Sequence, residues 1–207
     1  MDHDDVLTAR LAVDLDGAFP ALVEAHAARL YTIAHRCLGH ASDAEEVAQD
    51  ALVRAYRALG TYDADRIRSL RIAPWLATIT VNLARNRRRR IADRRPPLSL
   101  EPVVAVGREP RESEQAGPAA EAERRESGRR LAAALLLLPP GMREAIVLRH
   151  IDGLTVAETA LALGRPEGTV KALVHRGLER LRAVLTAEPP LSPLSPLSPL
   201  SAKELSA

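Results

Sequence analysis

Apolar residues recur at three- and four-residue steps through most of this chain, and the gaps between them carry helix-ending signals. Phe19, Leu22, Val23, Ala27, Leu30, Ile33, Ala34 and Cys37 trace one face of a helix expected to end at Gly39. Ser42 with Glu45 has the spacing of a capping box, predicting a second helix through Val47, Ala51, Leu52, Ala55 and Leu59 to Gly60. Pro74 opens a third, carrying Trp75, Leu76, Ile79, Leu83 and Ile91. Farther on, Thr155 and Glu158 form another capping-box pattern, and Val156, Ala160, Leu161 and Leu163 supply a short apolar stripe. Gly164 suits a left-handed helix end and Pro166 the first turn of the next helix. That helix spaces Val170, Leu173, Val174, Leu178, Leu181 and Leu185 along one side.

Composition divides the chain where the periodicity lapses. Residues 1–15 read as an N-terminal extension and 16–92 as a helical domain. Residues 93–127 are rich in Pro, Glu, Arg, Gly and Ser, with a brief apolar patch at Val103 and Val104. Such a segment buries too little surface to offset its ordering entropy, so a flexible linker is expected. Residues 128–187 form a second helical domain, and 188–207 repeat Pro-Leu-Ser, which excludes a helix and predicts a disordered or extended tail. The expected fold is all-α: two small helical domains on a tether. One Trp, one Phe and three Tyr leave Ala and Leu to fill the cores.

The net charge of +2 conceals a strong asymmetry. Acids dominate residues 1–50, whereas 51–95 hold Arg66, Arg68, Arg71, Arg85, Arg87, Arg88, Arg89, Arg90, Arg94 and Arg95. Two kinds of partner follow, one basic and one polyanionic. Lone Cys37 cannot form an intrachain disulfide and falls among apolar positions, as a buried thiol does. The six His lack ligand spacing, so neither a metal nor another cofactor is expected. Nucleophile, acid–base and phosphate-loop patterns are missing, which argues against an enzyme. Without a signal-like or bilayer-length apolar run, the protein is expected in the cytoplasm, with no membrane insertion.

Two helices present chemistry on their polar sides. Glu46, Gln49 and Asp50 share one face of the second helix, while Asn82, Arg85, Asn86 and Arg89 share a flank of the third. Five arginines in the six positions 85–90 exceed what the macrodipole at a helix end requires. Residues 155–185 combine a short scaffold helix, a glycine turn and a second helix with Lys171, His175, Arg176, Arg180 and Arg182 on its polar side. This is the recipe for a helix-turn-helix that enters the major groove; a helical hairpin with a solvated basic face is the plainer alternative.

The blocks SDAEEVAQDALVRAYRAL, PWLATITVNLARNRRRR and LPPGMREAIVLRHIDGLTVAETALALGRPEGTVKALVHRGLERLRAVL occur in that order across the proline-rich gap. Together they resemble the bacterial sigma-70-family RNA polymerase sigma factors of the extracytoplasmic-function (ECF) group. The resemblance covers residues 16–90 and 128–185, and it implies a region 2-like bundle and a region 4-like helix-turn-helix. It implies a transcription initiation factor that binds core RNA polymerase and directs it to promoter DNA, with an anti-sigma factor as a further partner.

By the same resemblance, Glu46, Gln49 and Asp50, with Tyr56 at the edge, dock on the polymerase's largest subunit. Trp75, Asn82, Arg85, Asn86, Arg88 and Arg89 meet the minus-10 element and its melted strand, and the loop over residues 62–73 forms a pocket for an extruded base. Thr155, Thr169, Lys171, Ala172, His175 and Arg176 read the minus-35 element. Many relatives carry Ser-Arg where this chain has Ala172-Leu173, so promoter preference does not transfer from them. Arg143 and Arg149 are expected near phosphate or the polymerase flap rather than at bases. The rival readings are a stand-alone helix-turn-helix regulator and, more distantly, a helical adaptor for acidic proteins.

Overall fold

The computed structural model describes residues 3–94 and 118–186, and every regular element among them is helical. The Pro-Leu-Ser tail and residues 95–117 of the expected linker lie outside that set. The helices are α1 (His3–Leu11), α2 (Leu15–Leu38), α3 (Ala41–Leu59), α4 (Ala64–Arg68), α5 (Ile72–Arg94), α6 (Pro118–Leu136), α7 (Pro140–Ile146), α8 (Val156–Leu163) and α9 (Glu167–Thr186). A π-helical turn, Val147–Ile151, continues α7.

In the first unit, α2, α3 and α5 pack on one another. Asp14 caps α2 by accepting the Gly17 amide at 3.0 Å, and the helix ends at Gly39, whose φ of +82° is left-handed. Buried Ala44, Ala48, Ala51 and Ala55 line α3 and keep its packed face small. Leu22, Leu30, Ile33, Leu76 and Val81 fill the space between these helices.

Several local expectations change. Residues 3–11, read only as an extension, form α1, which buries Leu7 and Leu11; two apolar residues four apart are too brief a signal to mark a helix. The Ser42–Glu45 capping box does not form. His40, extended at φ −116° and ψ 126°, starts α3 directly at Ala41 without a side-chain cap, leaving Ser42 and Glu45 exposed inside the helix. Helix α5 begins at Ile72, ahead of Pro74, whose missing amide falls in a first turn that needs no donor. Residues 118–127, placed in the tether by composition, are the start of α6. Leu161, assigned to the apolar stripe of α8, is 81% exposed.

In the second unit, α9 crosses α7 at Gly177, where a Cβ would meet Ile146 Cδ1 at 2.7 Å. Leu135, Leu138, Ile146 and Leu181 make a small core there. The Thr155–Glu158 capping box forms in full, and Gly164 ends α8 at φ +61°. The two units pack together: Leu148, Leu154, Leu163 and Val170 of the second belong to the same buried cluster as Leu30, Leu76 and Val81 of the first.

Candidate nucleic-acid interface

Helices α3 and α5 lie side by side, so the acidic face read from sequence borders a groove whose other wall is α5; of the flank read from sequence on α5, only Asn86 lines it. Glu46, Asp50 and Arg54 line one wall, and Asn86, Arg87 and Arg90 the other. Arg87 crosses between them, bonding Asp43 Oδ1 at 2.8 Å through Nε and Glu46 Oε1 at 2.7 Å through Nη1. The Asp43 hydrogen bond heads the influences that raise the Arg87 pKa. Glu46 is therefore partly neutralised within the fold, whereas Gln49 and Asp50 are exposed. Tyr56 is 40% exposed, with its ring edge-on to Phe19 at 5.0 Å and its hydroxyl donating to Asp16 at 2.6 Å. That hydrogen bond raises the Tyr56 pKa.

On α5, Asn82, Asn86 and Arg89 are exposed along one flank. Arg85 and Arg88 turn elsewhere: Arg85 Nη2 reaches Glu144 Oε2 at 2.8 Å and Arg88 Nη1 reaches Glu144 Oε1 at 3.0 Å. Trp75 is half-buried, its ring 6.2 Å from Tyr62, and the Arg66 guanidinium lies 3.8 Å over the Tyr62 ring. The segment 62–73 is thus no open loop. It contains α4, capped by Asp63 accepting the Arg66 amide at 2.8 Å.

In the second unit, Lys171, Ala172, His175 and Arg176 are exposed on the early part of α9, and Thr169 is half-buried. Arg176 Nε donates to Ala172 O at 3.3 Å, and His175 Nδ1 lies 3.5 Å from Glu179. The Thr155 hydroxyl is occupied as a cap, donating to Glu158 at 2.7 Å and accepting its amide at 3.2 Å. Burial pushes the Glu158 carboxyl up, but the Thr155 amide and hydroxyl, with Arg71, hold it below the usual carboxylate range.

Arg143 is not a phosphate or polymerase neighbour. It is buried, and its fork donates to Leu135 O (2.9 Å), Cys37 O (2.7 Å), Leu136 O (2.6 Å) and Leu138 O (3.1 Å). One cation thereby closes the carbonyl ends of α2 and α6, where the helix dipoles favour it. Burial lowers the Arg143 pKa. Burial also raises the Cys37 thiol to about 12, as suits an inert buried cysteine. Arg149 is half-buried and donates to Leu154 O at 3.0 Å.

Sequence reasoning missed Glu144, Asp152 and Arg29. Arg29 Nη2 bonds Asp152 Oδ2 at 2.7 Å, and Arg71 Nη1 lies 2.7 Å from Glu158 Oε1. Burial pushes the Asp152 carboxyl upward against the pull of Arg29. The available signal was Glu144 itself, a carboxylate inside the apolar stretch MREAIVL.

A helix-turn-helix behind a bundle with one acidic and one basic helix defines a class of DNA-binding protein, and comparison with known proteins specifies it. The sigma-70 region 2 model matches residues 22–95 and the sigma-70 region 4 model residues 128–181. The ECF sigma factor SigE of Mycolicibacterium smegmatis is 35% identical over 167 residues, covering 79% of this chain and 60% of that protein. SigW of Bacillus subtilis is 32% identical over 174 residues, covering 81% of this chain and 89% of that protein. The structure of CnrH with the cytosolic domain of CnrY superposes with a TM-score of 0.63 at 29% identity, covering 91% of this chain and 100% of that one. The sigma factor RpoE, in complex with the anti-sigma factor NepR from Bartonella quintana, has a TM-score of 0.60 at 24% identity. That match covers 83% of this chain and 98% of that one, and it supports the fold. The chain belongs to the ECF group of the sigma-70 family, and it is a sigma factor that directs RNA polymerase to promoters. The stand-alone regulator is not favoured. Among the described residues, no helix is long and apolar enough to cross a membrane.

Proposed function

We propose a division of labour among three helices. Gln49 and Asp50 on α3, bordered by Glu46 and Tyr56, dock on core polymerase. Asn82, Asn86 and Arg89 on α5, joined by Arg85 and Arg88, bind the minus-10 strand. Lys171, His175 and Arg176 on α9 read the minus-35 element, with Ala172 offering only apolar contact. Positive charge supplies backbone affinity, and the asparagine amides offer hydrogen bonds to base edges. Trp75 supports α4 and α5 against Tyr62, and Thr155 acts through its cap on α8. The factor contributes no covalent chemistry and works in the cytoplasm, where the polymerase is. An anti-sigma factor is a fitting partner, since related structures are complexes of that kind.

The observation that carries this reading is the exposure of two separate polar faces, one on α5 and one on α9, beside an acidic α3. Asp50 offers the cleanest test, because Glu46 is tied to Arg87 and its reversal would also strain the fold. Asp50→Lys should weaken assembly with purified core polymerase while leaving the thermal melt of the free protein unchanged. Equal affinity for core would move the docking surface off α3.

A further inference from the structure

Helix α5 packs on α3 along a face that offers little to fix its rotation. The buried residues of α3 include Ala44, Ala48, Ala51 and Ala55. Side chains this small let two helices approach closely, but they raise shallow ridges, so one helix can roll on the other at little cost. Arg87 supplies a polar key at the edge of the contact. Its Nε donates to Asp43 Oδ1 at 2.8 Å and its Nη2 lies 2.7 Å from the same oxygen, while Nη1 donates to Glu46 Oε1 at 2.7 Å. Asp43 and Glu46 stand three residues apart on α3, which places both on one side of that helix. A planar guanidinium gripped at two points is fixed in direction as well as in distance. Arg87 and Asp43 are half-buried, so solvent ions screen this pair less than they would an exposed one.

The helical period places Arg87 beside the buried Leu83 and Ala84 on the inner side of α5, while Asn82, Asn86 and Arg89 stand together on the exposed flank. At a helix radius of about 5–6 Å, a roll of about 10° carries a side-chain tip about 1 Å. Groups that recognise a ligand work when held within about 0.5 Å of their productive place, so even a small roll of α5 matters at its flank. We propose that Arg87 is the positioning residue of the promoter helix: by bridging Asp43 and Glu46 it sets the rotation of α5 at which Asn82, Asn86 and Arg89 meet the melted strand, without touching DNA itself. This rests on the assignment of α5 to the minus-10 strand. It also joins the docking helix to the reading helix through one side chain, since Glu46 belongs to the face assigned to core polymerase.

The test uses holoenzyme assembled from core polymerase and the full chain, on a promoter fragment from which the parent holoenzyme initiates. Strand opening is followed by permanganate reactivity of unpaired thymines, and core affinity is measured separately. Arg87→Gln should slow opening about tenfold, with no fall in core affinity and unchanged helicity at the assay temperature. Asp43→Ala keeps the Arg87 cation but removes its main anchor, and it should slow opening to a similar degree. The two together should be no worse than either alone, because both remove one interaction. The salt dependence of promoter binding should be the same for Arg87→Gln as for the parent. Should Arg87→Gln lose helicity, Arg87→Lys, which keeps the charge without the fork, should show a smaller loss of opening in the same direction. A defect confined to Arg87→Gln, with a shallower salt dependence, would make Arg87 a phosphate contact and overturn the positioning role. Normal opening by both Arg87→Gln and Asp43→Ala, while Asn82→Ala with Asn86→Ala slows it, would overturn that role and leave α5 on the strand. Normal opening by the asparagine pair would remove α5 from the strand, and the proposal with it.

Discussion

Arg143 ties α2, α6 and α7 together through four hydrogen bonds, and its removal has a calculable cost. Arg143→Ala deprives Cys37, Leu135, Leu136 and Leu138 of a common donor at the meeting of α2, α6 and α7. A hydrogen bond from a charged group contributes about 1.5–3 kcal/mol, but four bonds from one group are not additive, and water can reach helix-end carbonyls after truncation. The net loss is therefore placed at about 3–5 kcal/mol, the range for breaking a buried charged network. Against a total stability of about 5–15 kcal/mol, this is a large fraction. With a urea slope of about 2 kcal/mol per molar, the unfolding midpoint followed by circular dichroism should fall by about 2 M. Arg143→Lys keeps the charge and loses the planar fork, so it should lie between the two. A midpoint for Arg143→Ala within about 0.5 M of the parent would refute this account, as would Arg143→Lys matching the parent.

Gly39→Ala should cost about 1–3 kcal/mol, since it forces a side chain into a left-handed turn and places a Cβ 2.6 Å from Leu136 Cδ1; the same urea titration reads it. Glu158 has a folded-state pKa below its unfolded value, so its contribution is present above the usual carboxylate range and is lost as pH falls through the folded pKa. The melting temperature of the parent should accordingly exceed that of Glu158→Gln at neutral pH, and the gap should close in acid; a gap that widened on acidification would reverse the assigned sign.

The sequence patterns that survived are those in which side chain and backbone answer the same local demand. Gly39, Gly164 and the Thr155–Glu158 box lie where the chain itself dictates a helix end, and each was legible. Ser42 and Glu45 share that spacing, yet the left-handed turn at Gly39 brings the chain into α3 two residues earlier. Periodicity placed Leu30, Ile33 and Val170 in the core because burial repeats with the helix. It could not separate Leu161 from its neighbours, because α8 is too short for one stripe to define a face. Charge was harder still. Arg85, Arg88 and Arg89 look alike in sequence, but only Arg89 is exposed; Arg85 and Arg88 are set by Glu144, 59 and 56 residues away respectively. Arg143 sits in a polar-looking PPGMRE segment, and its burial depends on two helix ends that meet only in the folded chain.

The central claim is that this chain confers promoter choice on core polymerase through α5 and α9 together. Run-off transcription with purified core polymerase and the full chain, with start sites mapped across genomic DNA, tests it most directly. The account predicts transcripts that require the chain and begin a fixed distance downstream of two sequence blocks at constant spacing. Lys171→Ala with Arg176→Ala should erase the preference for the upstream block alone, at about 1–3 kcal/mol per lost bidentate base contact. Core polymerase whose start sites were unchanged by adding the chain would contradict it.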